Sequence, residues 1–398
     1  MIFPEYVKFA LDRLEENGYS AYLVGGCVRD YIMGIIPHDF DITTNATPEQ
    51  TEQCFNDIKT LDIGKKHGTI SIVFDKEIVE VTTYRIDGEY KDSRHPESVT
   101  FTDRIEDDLA RRDFTMNAIA YSPKRGFVDP FDGRGDIERK RIVCVGEPVK
   151  RFDEDALRIL RALRFSSRLG FEIESGTARA ILDKRRLLLN IAAERINSEF
   201  SGILEGAYAS EVISDYIDVF RTVIPLLSDV DINGIKRAEN YGTDVKLCLF
   251  FSCFDNKDDL TKQLKDLKFD NSTVKTVSVV VSLLSEYNGK YNDRDVKRCV
   301  SGIGVDCTQV LYQVLYCHTG NDACISALRS LAEFVGGNEC MSVSQLNVKG
   351  NEIIEALQIN PSMTGSILSR LLDDVIDEII PNEKTALLKR AKRYAEQN

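Results

Sequence analysis

The sequence predicts an α+β chain, a small sheet-and-helix head followed by an all-α remainder. Two observations carry that prediction. Segments with strand character, around Leu23, Asp41, Ile70 and Val79, all fall in the first part of the chain, and strand signals fade after about residue 172. From there on, apolar residues recur at helical spacing, interrupted at Pro225, Gly234, Gly242 and the Gly302/Gly304 pair. Composition sets the limits. At 398 residues there is room for two to four domains, and 43% hydrophobic with 29% charged residues describes an ordinary globular protein. The opening stretch MIFPEYVKFALDRLEENG reads as an amphipathic helix rather than a signal peptide. No apolar run approaches the roughly 18 residues of a membrane span, so a cytoplasmic location is expected. Ten cysteines occur without a C-x-x-C pair, several of them (Cys248, Cys253, Cys317) in apolar helical stretches; they read as reduced core thiols, with neither a zinc site nor a disulfide framework. A net charge of −13 argues against broad non-specific affinity for nucleic acid, so such a partner needs a local basic track.

Taken in order, Glu5 to Asn17 reads as a covering helix, and Leu23 to Thr43 as strand, glycine turn, helix and second strand. Pro48 to Phe55 is a helix with Thr47 as N-cap. Ile63 to Phe74 and Glu77 to Arg85 read as two strands joined at Asp75-Lys76, and polar residues 87–101, with Gly88 and Pro96, as a flexible loop. Glu106 to Tyr121 is expected to be a helix, Phe127 to Val143 a turn-rich link ending in a strand, and Arg151 to Phe171 one helix. Ser175 to Leu204 holds two more helices. The expected division is 1–140 head, 141–204 helical neck, 205–330 helical body and 331–398 helical tail.

The chemistry gathers around Leu23 to Thr43. In an extended strand Asp39 and Asp41 project to one face while Phe40 and Ile42 point to a core. Two carboxylates so close repel unless a cation lies between them. Mg²⁺ takes one or two carboxylates and fills its other positions with phosphate and water, so the pair suits an in-line phosphoryl transfer. Gly25-Gly26 opens a helix with Arg29 in its first turn, where backbone N–H groups free of a Cβ offer an anion site. Singly, an Asp-x-Asp is more often a solvated turn and a Gly-Gly merely a turn; the combination in this order is far more specific. Glu80, between Val79 and Val81, either faces the Asp pair across the sheet or is an edge-strand charge.

The combination resembles the nucleotidyltransferase domain of the DNA polymerase beta superfamily, and more narrowly the class II tRNA nucleotidyltransferases and bacterial poly(A) polymerases. GKKHGT resembles the CCA-adding subgroup, RRDFTMNA the family's second motif, EDALRILRALRF its base-reading motif, and ERINSEF a bracing motif. The tail resembles the family's more loosely, with Pro361-Ser362-Met363 departing from its usual Pro-Gly-Pro turn. The resemblance implies an enzyme adding CCA to the tRNA 3′ end from CTP and ATP. Asp39 and Asp41 would bind two Mg²⁺ ions, with Glu80 a further catalytic carboxylate. Gly25, Gly26, Arg29, Arg112 and Asp113 would hold triphosphate and sugar, and the loop at 87–101 would serve the switch from C to A. No protein partner is implied.

Asp155, Arg158, Arg161 and Arg164 are expected in an i, i+3 row on one helix. Cytosine and adenine each present an amino donor beside a ring-nitrogen acceptor. Asp155 can accept from the first and Arg158 can donate to the second, whereas uracil and guanine present the reverse pattern. Arg161 and Arg164 would extend the site toward phosphates. The alternative is an ordinary salt-bridged surface helix. Between Arg134 and Arg168 ten Lys/Arg face six Asp/Glu, a basic track in an acidic chain, and Lys384, Lys389, Arg390, Lys392 and Arg393 crowd the C-terminus. Rival readings are an A-adding-only enzyme, a poly(A) polymerase, or a non-catalytic RNA-binding protein on the same scaffold; an intact Asp pair argues against the last.

Overall fold

The computed structural model describes residues 3–37, 39–75, 77–88, 99–286 and 291–397. The chain divides into two compact units, Met1–Pro225 and Leu226–Asn398. The first opens with α1 (Glu5–Glu16), β1 (Ala21–Val24), α2 (Gly26–Ile32), β2 (Asp41–Thr44) and α3 (Pro48–Cys54). β3 (Thr60–Leu61), β4 (Thr69–Phe74) and β5 (Glu77–Thr83) follow, then a hairpin of β6 (Arg85–Asp87) and β7 (Val99–Phe101). After α4 (Ile105–Ala110) come β8 (Ala120–Ser122), β9 (Gly126–Val128), α5 (Gly133–Glu138) and β10 (Arg141–Ile142).

Seven of these strands form one sheet in the order β3-β4-β5-β2-β1-β8-β9, mixed because β2 runs parallel to β5 while its other pairings are antiparallel. Alternation gives the sheet two characters. Leu23, Ile42, Val81 and Ile70 lie on one cross-strand row, buried with Val79 and Ile72 beneath α1 and α3. The opposite row carries Asp41, Glu80 and Ser71, with Thr43, Thr82 and Thr69 beside it. Thr47 caps α3 in a capping box with Gln50, and Pro48 takes the first turn.

The neck elements follow as α6 (Pro148–Glu154), α7 (Leu157–Leu169), β11 (Glu172–Ile173), α8 (Ser175–Lys184) and α9 (Ala193–Glu205), with α7 packed along α9 and β11 paired to β10. Among its described residues the second unit holds helices and no strand. Among the described residues its helices run from Ile232–Arg237 to Lys384–Ala395, and its last part has its own core of Leu346, Ile353, Ile367, Leu371 and Leu387. There the buried Asp374 accepts from Arg390 Nε at 2.7 Å and from Tyr394. All ten cysteines are free, and no described helix is long and apolar enough to cross a membrane.

Several expected boundaries move. The strand expected from Ile63 begins at Thr69: Lys65–His67 forms a single 3-10 turn that returns through Gly68, whose φ is +86°, and Ile63 is 88% exposed. The helix expected over Glu106 to Tyr121 stops at Ala110. Beyond it the chain pairs with residues 143–145, Thr115 N–H donating to the Val143 carbonyl and Val145 N–H to that of Asp113, and this outcompetes helical bonding. The link after Phe127 contains the helix α5. Most consequential, Asp155 does not lie on a helix. Its backbone is extended (φ −140°, ψ 101°) and its carboxylate accepts from Leu157 N–H at 3.1 Å, a side-chain bond that ends α6 and starts α7 afresh. The loop expected at 87–101 falls largely, at 89–98, outside the described residues.

Candidate active site

β1 ends in a glycine turn that only glycine can make. Gly25 has φ +79°, and a Cβ there would lie 3.3 Å from Arg112 Nη1 and 4.0 Å from Asp41 Oδ2. The bare backbone therefore admits a cation and a carboxylate from two other elements. A Cβ on Gly26 would lie 3.7 Å from Arg29 Nη2.

The carboxylates stand on the polar face. The register aligns Val24 with Asp41 and Asp41 with Glu80, so Asp41 and Glu80 are lateral neighbours on one side of the sheet, both solvent-exposed. Asp39 is exposed too, with Phe40 and Ile42 buried between and after the acids, but it precedes β2, which begins at Asp41. The protein packed around Asp41 raises its pKa, Glu80 and Asp39 raise it further by repulsion, and Arg112 pulls it back. Among the described residues no three His, Cys, Asp or Glu side chains gather into a metal cage. What exists is a row of acids of the kind that suits Mg²⁺ with phosphate supplying the other ligands.

Arg112 reaches the turn from the end of α4. Its Nη2 is 3.4 Å from Asp108 Oδ2, and its buried Nε has no hydrogen-bond acceptor among the described residues. Asp108, fully buried, accepts from Arg111 Nε and Nη2 at 2.9 and 2.8 Å, and Thr43 Oγ1 lies 3.3 Å from it. Burial alone would raise the Asp108 carboxyl, but Arg111 and Arg112 outweigh it and hold the pKa below the ordinary value. Asp108 was missed from sequence, although its i, i+3 and i, i+4 spacing to the two arginines was a usable signal.

Asp113 lies beyond Arg112. Burial is likewise overcome there, chiefly by Arg161, and its pKa is lowered. Its Oδ1 accepts from Phe114 N–H and Asn117 Nδ2, and its Oδ2 from Arg161 Nε and Nη2 at 2.9 and 2.8 Å. Arg29 bonds Asp30 and Asn117. Arg29, Arg161 and Arg164 all stand over the Phe165 ring, at 5.2, 5.4 and 5.3 Å from its centroid. Arg164 Nε is 2.9 Å from the buried Glu199, whose pKa is raised by burial and only partly restored by Arg164. Asn117 and Phe165 lie inside the two motifs RRDFTMNA and EDALRILRALRF but were not singled out from sequence, because neither side chain is charged and only the packing shows what they touch.

The i, i+3 row survives only for Arg158, Arg161 and Arg164. Arg158 is 7% exposed, its guanidinium donating to Glu154 Oε2 at 3.0 Å and to the carbonyls of Arg111 at 2.9 Å and Arg151 at 3.3 Å. Asp155, at the break before α7, meets Arg195 at 3.4 Å. The structure therefore brings Gly25, Gly26, Asp41, Glu80, Arg29 and Arg112 to one end of the sheet and links Asp113 to Arg161 beside them.

Residues 21–143 match the family described as Poly A polymerase head domain, 170–225 the "Probable RNA and SrmB-binding site of polymerase A", and 243–391 a tRNA nucleotidyltransferase domain 2. The chain is 33% identical to the CCA-adding enzyme of Staphylococcus saprophyticus over 98% of its length and 97% of the relative's. It is 32% identical to that of Pediococcus pentosaceus, over 98% of each. In fold it resembles the crystal structure of Bacillus stearothermophilus CCA-adding enzyme in complex with CTP, with a TM-score of 0.84 at 29% identity, covering 100% of this chain and 99% of that one. The Thermotoga maritima CCA-adding enzyme complexed with tRNA-CCA shares the fold, with a TM-score of 0.72 at 20% identity, covering 99% and 96%.

Proposed function

The chain belongs to the family of CCA-adding enzymes, and we propose that it builds C, C and A onto the 3′ end of tRNA from CTP and ATP, without a nucleic-acid template, releasing pyrophosphate. The observation that carries this reading is the convergence of Asp41 and Arg112 on the Gly25 turn, with Glu80 beside Asp41 on the neighbouring strand. That arrangement puts acids and a phosphate-binding cation within reach of one triphosphate.

In this mechanism Asp39 and Asp41 hold two Mg²⁺ ions, with Glu80 alongside. The ions, when bound, supply activation of the tRNA 3′-hydroxyl and charge for the departing pyrophosphate. Their fit rests on the acids' mutual repulsion, which a cation relieves. Gly25, Gly26, Arg29 and Arg112 grip the polyphosphate, Asp113 the sugar, and Arg161 and Arg164 add positive field. Asp155 and Arg158 choose the base by the amino and ring-nitrogen edge. Arg158 then exchanges its bond to the Arg111 carbonyl for one to the base, while Asp155, already outside the helix, exchanges its long contact to Arg195 for the amino group. No side-chain nucleophile is needed, since positioning and charge neutralisation suffice for phosphoryl transfer. The functional division remains 1–140 head, 141–204 neck, 205–330 body and 331–398 tRNA-binding tail, and a cytoplasmic location accompanies the tRNA substrate.

The test is to incubate the protein with tRNAs ending at the discriminator base, at C and at CC, offering each nucleoside triphosphate in turn. Ordered C, C and A addition supports the proposal. Addition of A alone to a CC end identifies an A-adding enzyme, and untemplated A runs on any RNA identify a poly(A) polymerase.

A further inference from the structure

The nucleotide site as assigned leaves Asn117 without a role, although it stands between two of the site's residues and is only 6% exposed. Its Oδ1 accepts from Arg29 Nη1 at 2.9 Å and its Nδ2 donates to Asp113 Oδ1 at 3.1 Å. Asp113 Oδ2 in turn holds Arg161, and Arg29 is fastened at its other edge to Asp30 at 2.7 and 2.9 Å. A continuous line, Arg29–Asn117–Asp113–Arg161, thus runs from α2 to α7, with both terminal guanidiniums over the Phe165 ring.

Chemistry restricts what can occupy the middle of that line. A guanidinium only donates and an ionised carboxylate only accepts, so the bridging group must accept at one end and donate at the other. A carboxylate would keep Arg29 and repel Asp113, and a hydroxyl is too short to span both. The amide's orientation follows from its two neighbours.

Building on the reading that Arg29 faces the polyphosphate and Asp113 the sugar, we propose that Asn117 is a positioning residue for nucleotide binding. It locks Arg29 and Asp113 at one spacing, so that the polyphosphate and the sugar of CTP or ATP are gripped as a unit. The charged groups around the bridge are Arg29 and Asp30 from α2, Arg112 beyond α4, Arg161 and Arg164 from α7, and Glu199 from α9.

The experiment is steady-state addition of ATP to tRNA ending in CC, and of CTP to tRNA ending in C, by wild type, Asn117→Asp and Asn117→Ala across a pH series. Asn117→Asp preserves shape and the Arg29 bond but sets two carboxylates about 3 Å apart, a pair that shares a proton when the pH falls. At about pH 8 its nucleotide KM should rise roughly tenfold with little change in kcat, and by about pH 6 it should approach wild type as the shared proton restores a donor. Asn117→Ala should show the raised KM without that recovery. A wild-type KM for Asn117→Asp at the higher pH, or the same pH profile for both variants, overturns the proposal. If melting shows Asn117→Asp unfolded, Asn117→Ser replaces it; a raised KM at every pH supports the bridge and a wild-type KM overturns it. Wild type that extends no tRNA end would instead defeat the functional reading itself, so the two failures are distinguishable.

Discussion

Replacing Asp41 with Asn should raise the stability of the metal-free protein while removing its activity. Asp41 and Glu80 are partners on adjacent parallel strands, about 4.8 Å apart by strand spacing, which puts the two carboxylates roughly 5–6 Å from each other. At an effective dielectric of about 20 that repulsion is about 3 kcal/mol, and in bulk water below about 1 kcal/mol. Both residues are exposed, and Arg112 offsets part of the repulsion at Asp41, so a screened relief of about 1 kcal/mol is expected. For a unit of this size that shifts the melting temperature upward by about 2–4 °C in EDTA. Because the folded pKa of Asp41 is raised, its unfavourable contribution sets in as pH rises and fades as pH falls through that value, so the variant's advantage should shrink on acidification. Nucleotide addition should drop at least about 100-fold, the several kcal/mol that metal-borne charge stabilisation supplies. Calorimetry with and without EDTA, beside a single-nucleotide addition assay, measures both. A variant that melts at or below wild type in EDTA refutes the crowding argument, and near-normal turnover refutes the metal assignment.

Arg158→Ala should lower kcat/KM for both CTP and ATP by roughly 5- to 150-fold and increase uracil misincorporation. Asp155→Ala should relax selectivity in the same direction, and uniform losses with unchanged base preference in a folded protein would withdraw the base-reading assignment. Asp108→Asn removes the buried carboxylate that Arg111 and Arg112 share and should cost about 3–5 kcal/mol in denaturant unfolding. Since the Asp108 pKa is lowered on folding, its stabilisation is present above the unfolded value of about 4 and lost as pH falls through the lower folded value. Wild-type acid sensitivity in the Asp108→Asn variant would contradict that. Shortening the chain within 87–101 should leave C addition and suppress the final A, and equal loss of both on tRNAs ending in C and CC would assign the segment to the fold instead.

What the sequence by itself determined was local. The alternation around Asp41 places Phe40 and Ile42 inward whatever the neighbours, because side chains alternate along any extended chain. Gly25 announces a positive-φ turn, Thr47-Pro48 a capped helix, and the residues after 172 an all-α remainder for equally short-range reasons. The tertiary structure decided which of these local pieces meet. That Glu80 stands beside Asp41 follows from a parallel pairing of β2 with a strand almost forty residues away. That Asp155 leaves the helix follows from a contest between its carboxylate and the backbone, which helical spacing does not register. Arg158 ends up on the Arg111 carbonyl and Asn117 between Arg29 and Asp113 because distant segments pack there. A polar side chain's partner is settled by long-range packing, and periodicity, which senses only a few neighbouring residues, carries no information about it.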